Sequence, residues 1–395
     1  MIFNVPTLPS EYKTVLAWIN DLRGKLQFST SDNLNRWGGL LARTSYARAI
    51  QGSNSIEGIN VTLDEAIAAV DRQPPEKTGD EDWQAIWGYR EAMDYVIQLS
   101  KDRNHQHNAG TVLGLHYMMM KYDLDKHPGR WRPGTVHITN TATKEIVYTG
   151  PDAELVPGLM EELFGFLNQK DDVPIIVKAA MAHLNLTMIH PFKDGNGRMA
   201  RALQTMVLSR EGILSPVFSS IEEYVGRNVQ DYYHVLGEVG RGAWHPENDA
   251  TPWIKFCLTA HYRQARTLLR RMTELQRLWN VLEAEVKKRK LQDRMIFALA
   301  DAAIGLQVRN STYRQQTEVT LQLAKLDLRN LTNAGFLMPH GERRGRYYVA
   351  SPALEAIFKT AQLPKERFDP FKEIEDNQKP IQPELPGLES VSRSP

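Results

Sequence analysis

The sequence has little cysteine, little net charge and no long apolar run. Its single cysteine, Cys257, excludes an intramolecular disulfide and suits a reducing compartment. No uncharged apolar segment approaches the ~18 residues of a membrane-spanning helix, and the first residues lack the basic and apolar regions of a secretory signal. A net charge of +1 gives no general attraction to nucleic acid or to a membrane. We therefore expect a cytoplasmic protein with no membrane partner.

The remaining composition is that of a soluble globular protein. A length of 395 residues predicts two or three domains, and 42% of the residues are hydrophobic. Apolar residues recur at helical spacing through most of the first ~285 residues. Residues that favour strands cluster between positions 130 and 150, where they predict a β-hairpin. The predicted fold class is mainly α with one hairpin, followed by a small separate unit.

Changes in composition divide the chain into four parts. A charged run at 287–290 ends the helical part, and prolines without periodicity follow Leu363. We expect an N-terminal helical region at 1–100, a core with its following helices at 101–286, a small unit at 287–362 and a disordered tail at 363–395.

One segment, residues 190–201, reads His-Pro-Phe-Lys-Asp-Gly-Asn-Gly-Arg-Met-Ala-Arg. Pro191 disfavours helical backbone at His190, so we expect this imidazole where a strongly apolar helix ends. The Gly-Asn-Gly turn lets backbone N–H groups approach a ligand, and the helix that follows favours an anion at its N-terminus. Arg198 and Arg201 oppose the dipole of that helix, which is easier to explain if an anion binds there. The sequence has no Walker A loop. The residues alone predict phosphate chemistry without specifying which phosphorus reacts.

These twelve residues match every fixed position of the Fic signature, His-x-Phe-x-[Asp/Glu]-Gly-Asn-Gly-Arg-x-x-Arg. The sequence therefore resembles the Fic family of protein adenylyltransferases, over roughly residues 37–285. The resemblance implies that His190 is the general base, that Asp194 holds Mg²⁺, and that AMP passes from ATP to a Ser, Thr or Tyr hydroxyl of a target protein or of the enzyme itself. The nucleotide-binding residues that it implies are Phe192 (as an apolar contact that fixes the loop), Asp194, Gly195, Asn196, Gly197, Arg198 and Arg201.

A second motif, Ser53-Asn54-Ser55-Ile56-Glu57-Gly58, lies near the end of a predicted helix. Through Ser53, Glu57 and Gly58 it resembles the inhibitory signature [Ser/Thr]-x-x-x-Glu-[Gly/Asn] of Fic proteins whose inhibitory helix precedes the core. The resemblance implies that the Glu57 carboxylate pairs with Arg201 and fills the space of the ATP γ-phosphate. Gly58 suits the left-handed backbone that often ends a helix. A solvated glutamate at a helix end is the alternative.

The predicted hairpin lies where the Fic family has its target-docking flap, a hairpin to which a target segment adds as an extra strand. The alternative is a hairpin that only covers the core. Downstream, Tyr232 falls in the region of the family's adenine contacts, with core packing as an equal alternative. The residues expected at the edge of the flap are Ile146, Val147, Tyr148 and Thr149.

The unit after residue 287 is basic. Residues 288–350 contain eleven Lys and Arg against five Asp and Glu, a net charge of +6. The sequence predicts short helices, the last of them over residues 319–334, and then a strand, a basic turn at 341–346 and a last strand. This order of elements resembles a winged helix-turn-helix. Such a unit binds duplex DNA or another protein.

Several alternatives to an autoinhibited adenylyltransferase stay open. One is a DNA-binding regulator whose Fic part senses a nucleotide. Others are a transferase with another nucleotide donor and an enzyme that removes AMP. The target protein and a homodimer stay open as well.

Overall fold

The computed structural model describes residues 1–31, 36–73, 81–102, 104–139, 143–210, 218, 220–342 and 345–378. Within them the chain is mainly helical with two short hairpins, which confirms the predicted fold class. No described helix combines the length and apolar character that crossing a bilayer requires. The helices are α1 Ser10–Ser31, α2 Trp37–Ile56, α3 Leu63–Val70, α4 Glu81–Leu99, α5 Ala109–Met120, α6 Val156–Asn168, α7 Ile175–Ile189, α8 Asn196–Ser209, α9 Glu222–Arg227, α10 Val229–Gly240, α11 Thr251–Lys288, α12 Met295–Ala303, α13 Asn310–Thr317, α14 Leu321–Asn333, α15 Pro352–Ala361 and α16 Pro370–Gln378. The strands are β1 His137–Thr139, β2 Ile146–Thr149, β3 Leu337–His340 and β4 Tyr347–Ala350.

Helices α7 and α8 lie at the centre of the molecule. Both are buried along nearly their whole length, as the strongly apolar sequence of α7 predicts. The long helix α11 crosses this pair, and the Trp253 indole donates a hydrogen bond to the Ala180 carbonyl at 2.8 Å. The loop between α7 and α8 is residues 190–195, so the central motif is fixed at both ends by buried helices.

Helices α2 and α3 place the upstream motif. Thr62 caps α3 as a capping box, with Glu65 N donating to its hydroxyl at 3.2 Å and Thr62 N donating to the Glu65 carboxylate at 2.8 Å. Helix α2 ends at Ile56, directly before Glu57. Gly58 has a φ of +81°, which confirms the predicted left-handed conformation.

The first hairpin pairs β1 with β2 in antiparallel register. His137 lies opposite Thr149 and Ile138 lies opposite Tyr148, with a bulge before Thr139. The buried Tyr148 hydroxyl donates to the Met188 carbonyl near the end of α7, at 2.8 Å. This bond fixes the hairpin against the helix that ends at His190. Part of the hairpin turn lies outside the described residues.

Residues 295–361, called here the C-terminal unit, have the predicted order of helices followed by a hairpin. Helix α14 spans residues 321–333, close to the predicted 319–334, and Gly335 follows with a φ of +77°. Strands β3 and β4 pair from Leu337↔Ala350 to His340↔Tyr347. Two residues of the basic turn, 343 and 344, lie outside the described residues.

The prediction of a disordered tail from residue 363 is wrong for residues 363–378. Helix α16 forms there and packs against α1 and α11. The Phe371 ring lies 5.0 Å from that of Tyr12, and the Tyr262 hydroxyl donates to Glu373 at 2.9 Å. The prolines that suggested disorder include Pro370, which begins the helix, a position where proline is favourable. Residues 379–395 lie outside the described part.

Candidate active site

His190 lies at the C-terminal end of α7, where its φ of +51° ends the helix as Pro191 predicts. Its Nδ1 lies 3.2 Å from the Thr187 carbonyl oxygen. Because a carbonyl can only accept, Nδ1 holds the ring proton and Nε2 keeps its lone pair. Burial lowers the pKa of His190 to about 4. The ring is therefore neutral near pH 7, the state that a general base needs.

The loop after His190 is closed by the Asn196 side chain. Its Oδ1 accepts from Phe192 N at 2.9 Å, and its Nδ2 donates to the Phe192 carbonyl at 2.9 Å. Inside the loop this amide thus uses its Oδ1 and one of the two N–H donors of its Nδ2, and the binding of phosphate by Asn196 stays a prediction. Phe192 is fully buried, as expected of an apolar contact, and stacks on His116 with ring centroids 3.7 Å apart.

His116 supports the same loop from α5. Gly129 N donates to its Nδ1 at 2.9 Å, so Nε2 holds the proton and donates to the Asp194 carbonyl at 2.9 Å. Burial lowers its pKa to about 4, which keeps the ring neutral. No sequence motif identifies His116 as a functional residue. Its role in shaping the loop was missed because its partner is 78 positions away.

Arg132 is a second loop-shaping residue that the sequence did not single out. Its Nε donates to the His190 carbonyl at 2.8 Å, and its backbone N donates to the Pro191 carbonyl at 2.8 Å. The remaining guanidinium N–H groups reach the carbonyls of Gly134 and Pro151. The buried guanidinium thus joins both ends of the first hairpin to the backbone of the histidine.

Asp194 is the one acidic residue of the loop, and its side chain is 39% exposed. Burial raises its pKa, but the Lys126 ammonium at 3.1 Å and the Gly195 N–H at 2.6 Å outweigh this and hold the pKa below its ordinary value. The described residues contain no group of three or more metal-ligating side chains. A single ionised, accessible carboxylate fits Mg²⁺, which binds proteins through one or two carboxylates together with substrate phosphates.

Arg201 is paired with Glu57, as the resemblance implied. Its Nη2 donates to the Glu57 carboxylate at 2.6 Å and to the Ser53 carbonyl at 2.9 Å, and its Nε donates to the Ser53 hydroxyl at 2.8 Å. The carboxylate lies against Gly197, where a Cβ would be only 2.3 Å from Glu57 Oε1. An anionic group therefore already occupies the N-terminus of α8.

Two arginine donors at this place are unsatisfied. Arg198 Nε and Arg201 Nη1 are buried and have no hydrogen-bond partner within the part of the chain that the structure describes. Arg198 otherwise contacts Met120 Sδ at 3.0 Å and the Tyr122 hydroxyl at 3.5 Å, both weak partners for a cation. Buried, unpaired guanidinium donors are costly unless a ligand completes them.

Tyr232 lies in the core, so its prediction as an adenine contact needs correction. It is 2% exposed, and its hydroxyl lies 3.0 Å from His183 Nε2. Its neighbour Tyr233 is 51% exposed and donates to the Ile56 carbonyl at the end of α2, at 3.4 Å. The two tyrosines point to different faces of α10, and the accessible one adjoins the motif at residues 53–58.

The predicted docking edge is only partly free. Ile146 and Val147 are 58% and 47% exposed. Tyr148 is buried against α7, and Thr149 N already donates to the Gly242 carbonyl at 3.0 Å. Two of the four predicted residues therefore expose their side chains.

Comparison with known proteins agrees with this site. The Fic/DOC family model matches residues 106–208. The chain is 28% identical over 218 residues to the protein adenylyltransferase Fic of Nematostella vectensis, covering 54% of this chain and 46% of that protein. It is 26% identical over 261 residues to the protein adenylyltransferase fic-1 of Caenorhabditis elegans, covering 63% and 48%. The chain thus spans about half the length of these curated relatives.

A solved structure shares the fold over most of the chain. A Fic family protein from Desulfovibrio desulfuricans superposes with a TM-score of 0.56 at 22% identity, covering 88% of this chain and 98% of that one. The segment that the family model matches contains His190, the loop closed by Asn196 and the two arginines of α8. Residues 106–208, which contain this site, are therefore the part of the chain that resembles the Fic/DOC family.

Proposed function

We propose that this protein is a protein adenylyltransferase that transfers AMP from ATP to a hydroxyl side chain, and that Glu57 holds it inactive. One observation above all supports the proposal. A carboxylate lies between Gly197 and Arg201 at the N-terminus of α8, beside two unsatisfied guanidinium donors and a neutral histidine. This is an anion site next to a base, which is what nucleotidyl transfer needs.

The chemical step follows from these positions. The hydroxyl oxygen of the target attacks the α-phosphorus of ATP while His190 Nε2 accepts its proton. The bond from that phosphorus to the bridging oxygen breaks, and pyrophosphate leaves. Arg198, Arg201 and the backbone N–H groups at the start of α8 stabilise the negative charge on the phosphates. The Thr187 carbonyl keeps the proton on Nδ1, so Nε2 is the acceptor throughout.

Asp194 would hold Mg²⁺, which offsets phosphate charge when it is bound. Lys126 pairs with this carboxylate at 3.1 Å and is 40% exposed, so it can leave without breaking a buried contact. The backbone of Asp194 is held in place, because His116 Nε2 donates to its carbonyl oxygen at 2.9 Å. Its carboxylate therefore stays at the mouth of the loop.

Inhibition follows from competition for Arg201. The Glu57 carboxylate takes the position and the hydrogen bond that a terminal phosphate oxygen of ATP would use. ATP can then bind only with its phosphates displaced, and the α-phosphorus is misaligned for attack. Ser53 also binds Arg201 and holds it in the inhibited arrangement.

The decisive experiment is intact-mass spectrometry after incubation with Mg²⁺ and ATP. We would compare wild type, Glu57→Gly, Glu57→Gln and the double variant Glu57→Gly/His190→Ala. We expect addition of AMP to Glu57→Gly in excess of wild type, and none to the double variant. Glu57→Gln separates loss of charge from loss of volume, since Gln fills the same space without the ion pair.

A failure of this assay would have two distinct forms. No adduct with ATP, UTP, GTP or CTP would refute self-modification. The assay would then need a separate target protein that supplies the hydroxyl group. Equal labelling of wild type and Glu57→Gly would refute inhibition by Glu57 and leave the transferase intact. Labelling of the double variant would refute His190 as the base.

A further inference from the structure

Two ion pairs lie at the proposed nucleotide site, and they have opposite senses. Glu57 places a carboxylate on Arg201 at 2.6 Å, and Lys126 places an ammonium group 3.1 Å from the Asp194 carboxylate. The first pair puts a negative group where the proposed phosphates bind. The second puts a positive group where the proposed Mg²⁺ binds. Lys126 thus has the same relation to the metal as Glu57 has to ATP.

The backbone at Lys126 is held against the loop at 190–195, while its side chain can turn. Lys126 is the last residue of a short 3₁₀ turn, Leu124–Lys126. From the loop, the Lys193 ammonium donates to the Asp125 carbonyl of this turn at 2.8 Å. The Lys126 side chain is 40% exposed. It can therefore leave its present partner and still reach groups beside that partner.

A divalent cation that arrives without a nucleotide is disfavoured at this loop. Asp194 is the only acid among residues 190–195, and Lys126 and Arg198 both add positive charge around it. A cation on Asp194 would displace the ammonium and leave it close by without a new anionic partner. Like charges so close repel each other. The Asp123 charge near Lys126 is present with and without the cation, so it does not favour either state.

Nucleotide phosphates would give the displaced ammonium a new partner. Oxygen atoms that share one Mg²⁺ lie within about 4 Å of each other. Lys126 already lies 3.1 Å from Asp194, so phosphate oxygens that share an ion with Asp194 fall within the reach of this flexible side chain. The metal and the phosphates thus each make the binding of the other more favourable.

We infer that Lys126 is a nucleotide-binding residue that passes from Asp194 to the phosphates, so that the metal enters the site together with the nucleotide. The inference rests on the proposed function, because it takes Asp194 as the metal-binding carboxylate. Lys126 pairs with this carboxylate in the empty site and with the phosphates in the filled one. Removing the ammonium should therefore change two affinities in opposite directions, which the loss of a merely structural residue would not do.

The test measures both affinities in the full chain with Glu57→Gly, which removes the competing carboxylate. Mn²⁺, which replaces Mg²⁺ and is visible by EPR, is titrated alone. An ATP analogue with a methylene group between its α and β phosphorus atoms, which cannot transfer AMP, is then titrated by calorimetry in excess Mn²⁺. The added substitutions are Lys126→Met, Lys126→Arg and Asp194→Asn.

Lys121→Met is the matched control for the loss of one positive charge. Lys121 is 44% exposed and pairs with Glu91 at 2.6 Å, so its exposure and its type of contact resemble those of Lys126. Its partner is on α4 and not in the loop.

We expect Lys126→Met to bind Mn²⁺ alone about tenfold more tightly, and the ATP analogue about tenfold more weakly, than the protein with Glu57→Gly alone. Lys126→Arg keeps the charge and should recover part of both affinities. Lys121→Met should change neither. Asp194→Asn should weaken the binding of Mn²⁺ at least about tenfold.

The inference would be overturned by shifts in the same direction, by no shift in either titration, or by equal shifts in Lys121→Met. Binding of Mn²⁺ that is unchanged in Asp194→Asn would also overturn it. Neither titration requires transfer, so the result is separate from that of the mass-spectrometric assay. Opposite shifts without any AMP adduct would refute the transferase and support the exchange of Lys126, and an adduct without these shifts would refute the exchange alone.

Discussion

The two buried histidines at the loop are held in defined tautomers by single neighbours. Thr187 fixes the proton of His190 on Nδ1, and Gly129 fixes that of His116 on Nε2. Neither ring gains a charged partner, so burial lowers both pKa values to about 4. His190 and His116 are therefore neutral over the same range of pH.

We predict that the His190 ring stays neutral down to about pH 5 and protonates with a midpoint near 4. Because a base must be unprotonated, its function is present above the folded pKa and lost below it. Nitrogen-detected NMR of the histidine side chains would follow this titration, with His190→Ala assigning the signals. A midpoint near 6.5, the ordinary value for histidine, would contradict the burial argument.

Glu222 is a buried carboxyl group, 1% exposed, with the Thr205 hydroxyl 3.5 Å from it. Burial raises its pKa to about 7. The folded chain therefore keeps a proton that the unfolded chain releases near 4.5. Its contribution to the free energy of unfolding falls as the pH rises from about 4.5 to 7, and it is least favourable above that range.

Replacing Glu222 with Gln should remove this dependence. We predict that Glu222→Gln is more stable than wild type by roughly 2 kcal/mol at pH 8, with a smaller difference at pH 5. Urea unfolding at both values of pH measures the two free energies. A difference that is the same at both would show that Glu222 does not titrate in this window.

At the scale of elements, helix α2 is positioned by a close backbone contact with α9. A Cβ on Gly52 would lie 2.4 Å from the Glu222 carbonyl oxygen, and one on Gly226 would lie 2.7 Å from the Gly52 Cα. Only glycine permits this approach. Since Glu57 follows the last residue of α2, the contact sets where its carboxylate lies.

Gly52→Ala should therefore displace α2 from α9. We predict a loss of about 1–3 kcal/mol in stability and a higher rate of AMP transfer than wild type. Gly24→Ala is the matched control in α1, where a Cβ meets nothing within 4 Å, and it should be neutral or slightly stabilising. Unchanged activity together with lost stability would show that the packing of α2 against α9 does not control inhibition.

The elements show how far sequence reasoning extends. The apolar period of α7, the cap at Thr62 and the left-handed Gly58 were predictable because each depends on residues within a few positions. The roles of Arg132 and Asn196 and the burial of Tyr232 were not, because each depends on which backbone atoms the fold brings near. Helix α16 was not predicted, because in so short a segment Pro364 and Pro370 indicated disorder more strongly than the apolar Phe371 and Ile374 indicated a helix.

At the scale of the molecule, Arg43 joins three parts of the chain. From α2 it binds Asp71, which follows α3, at 2.5 Å and Asp301 of α12 at 2.8 Å. Its side chain is 12% exposed and that of Asp301 is 4% exposed. Helix α2 and the C-terminal unit are thus connected through one buried guanidinium.

We predict that Arg43→Met lowers the free energy of unfolding by about 3 kcal/mol, because it leaves the Asp301 carboxylate buried without its cation. Adding Asp301→Asn should recover part of this loss. Arg72→Met is the control, since Arg72 is 69% exposed and its partner Asp94 keeps a second cation in Arg90, and it should cost under about 1 kcal/mol. Chemical denaturation of the four proteins measures these values. Equal losses for Arg43→Met and Arg72→Met would show that burial adds nothing.

Helix α11, with its 38 residues, is about 57 Å long at 1.5 Å per residue. One end packs against α7 and α10 and the other against the C-terminal unit, so the helix sets both their separation and their relative rotation. Each residue inserted into its middle adds a rotation of about 100°. Natural variation in its length should therefore occur in steps of about seven residues, which restore the angular phase between the two ends, and single insertions should be excluded.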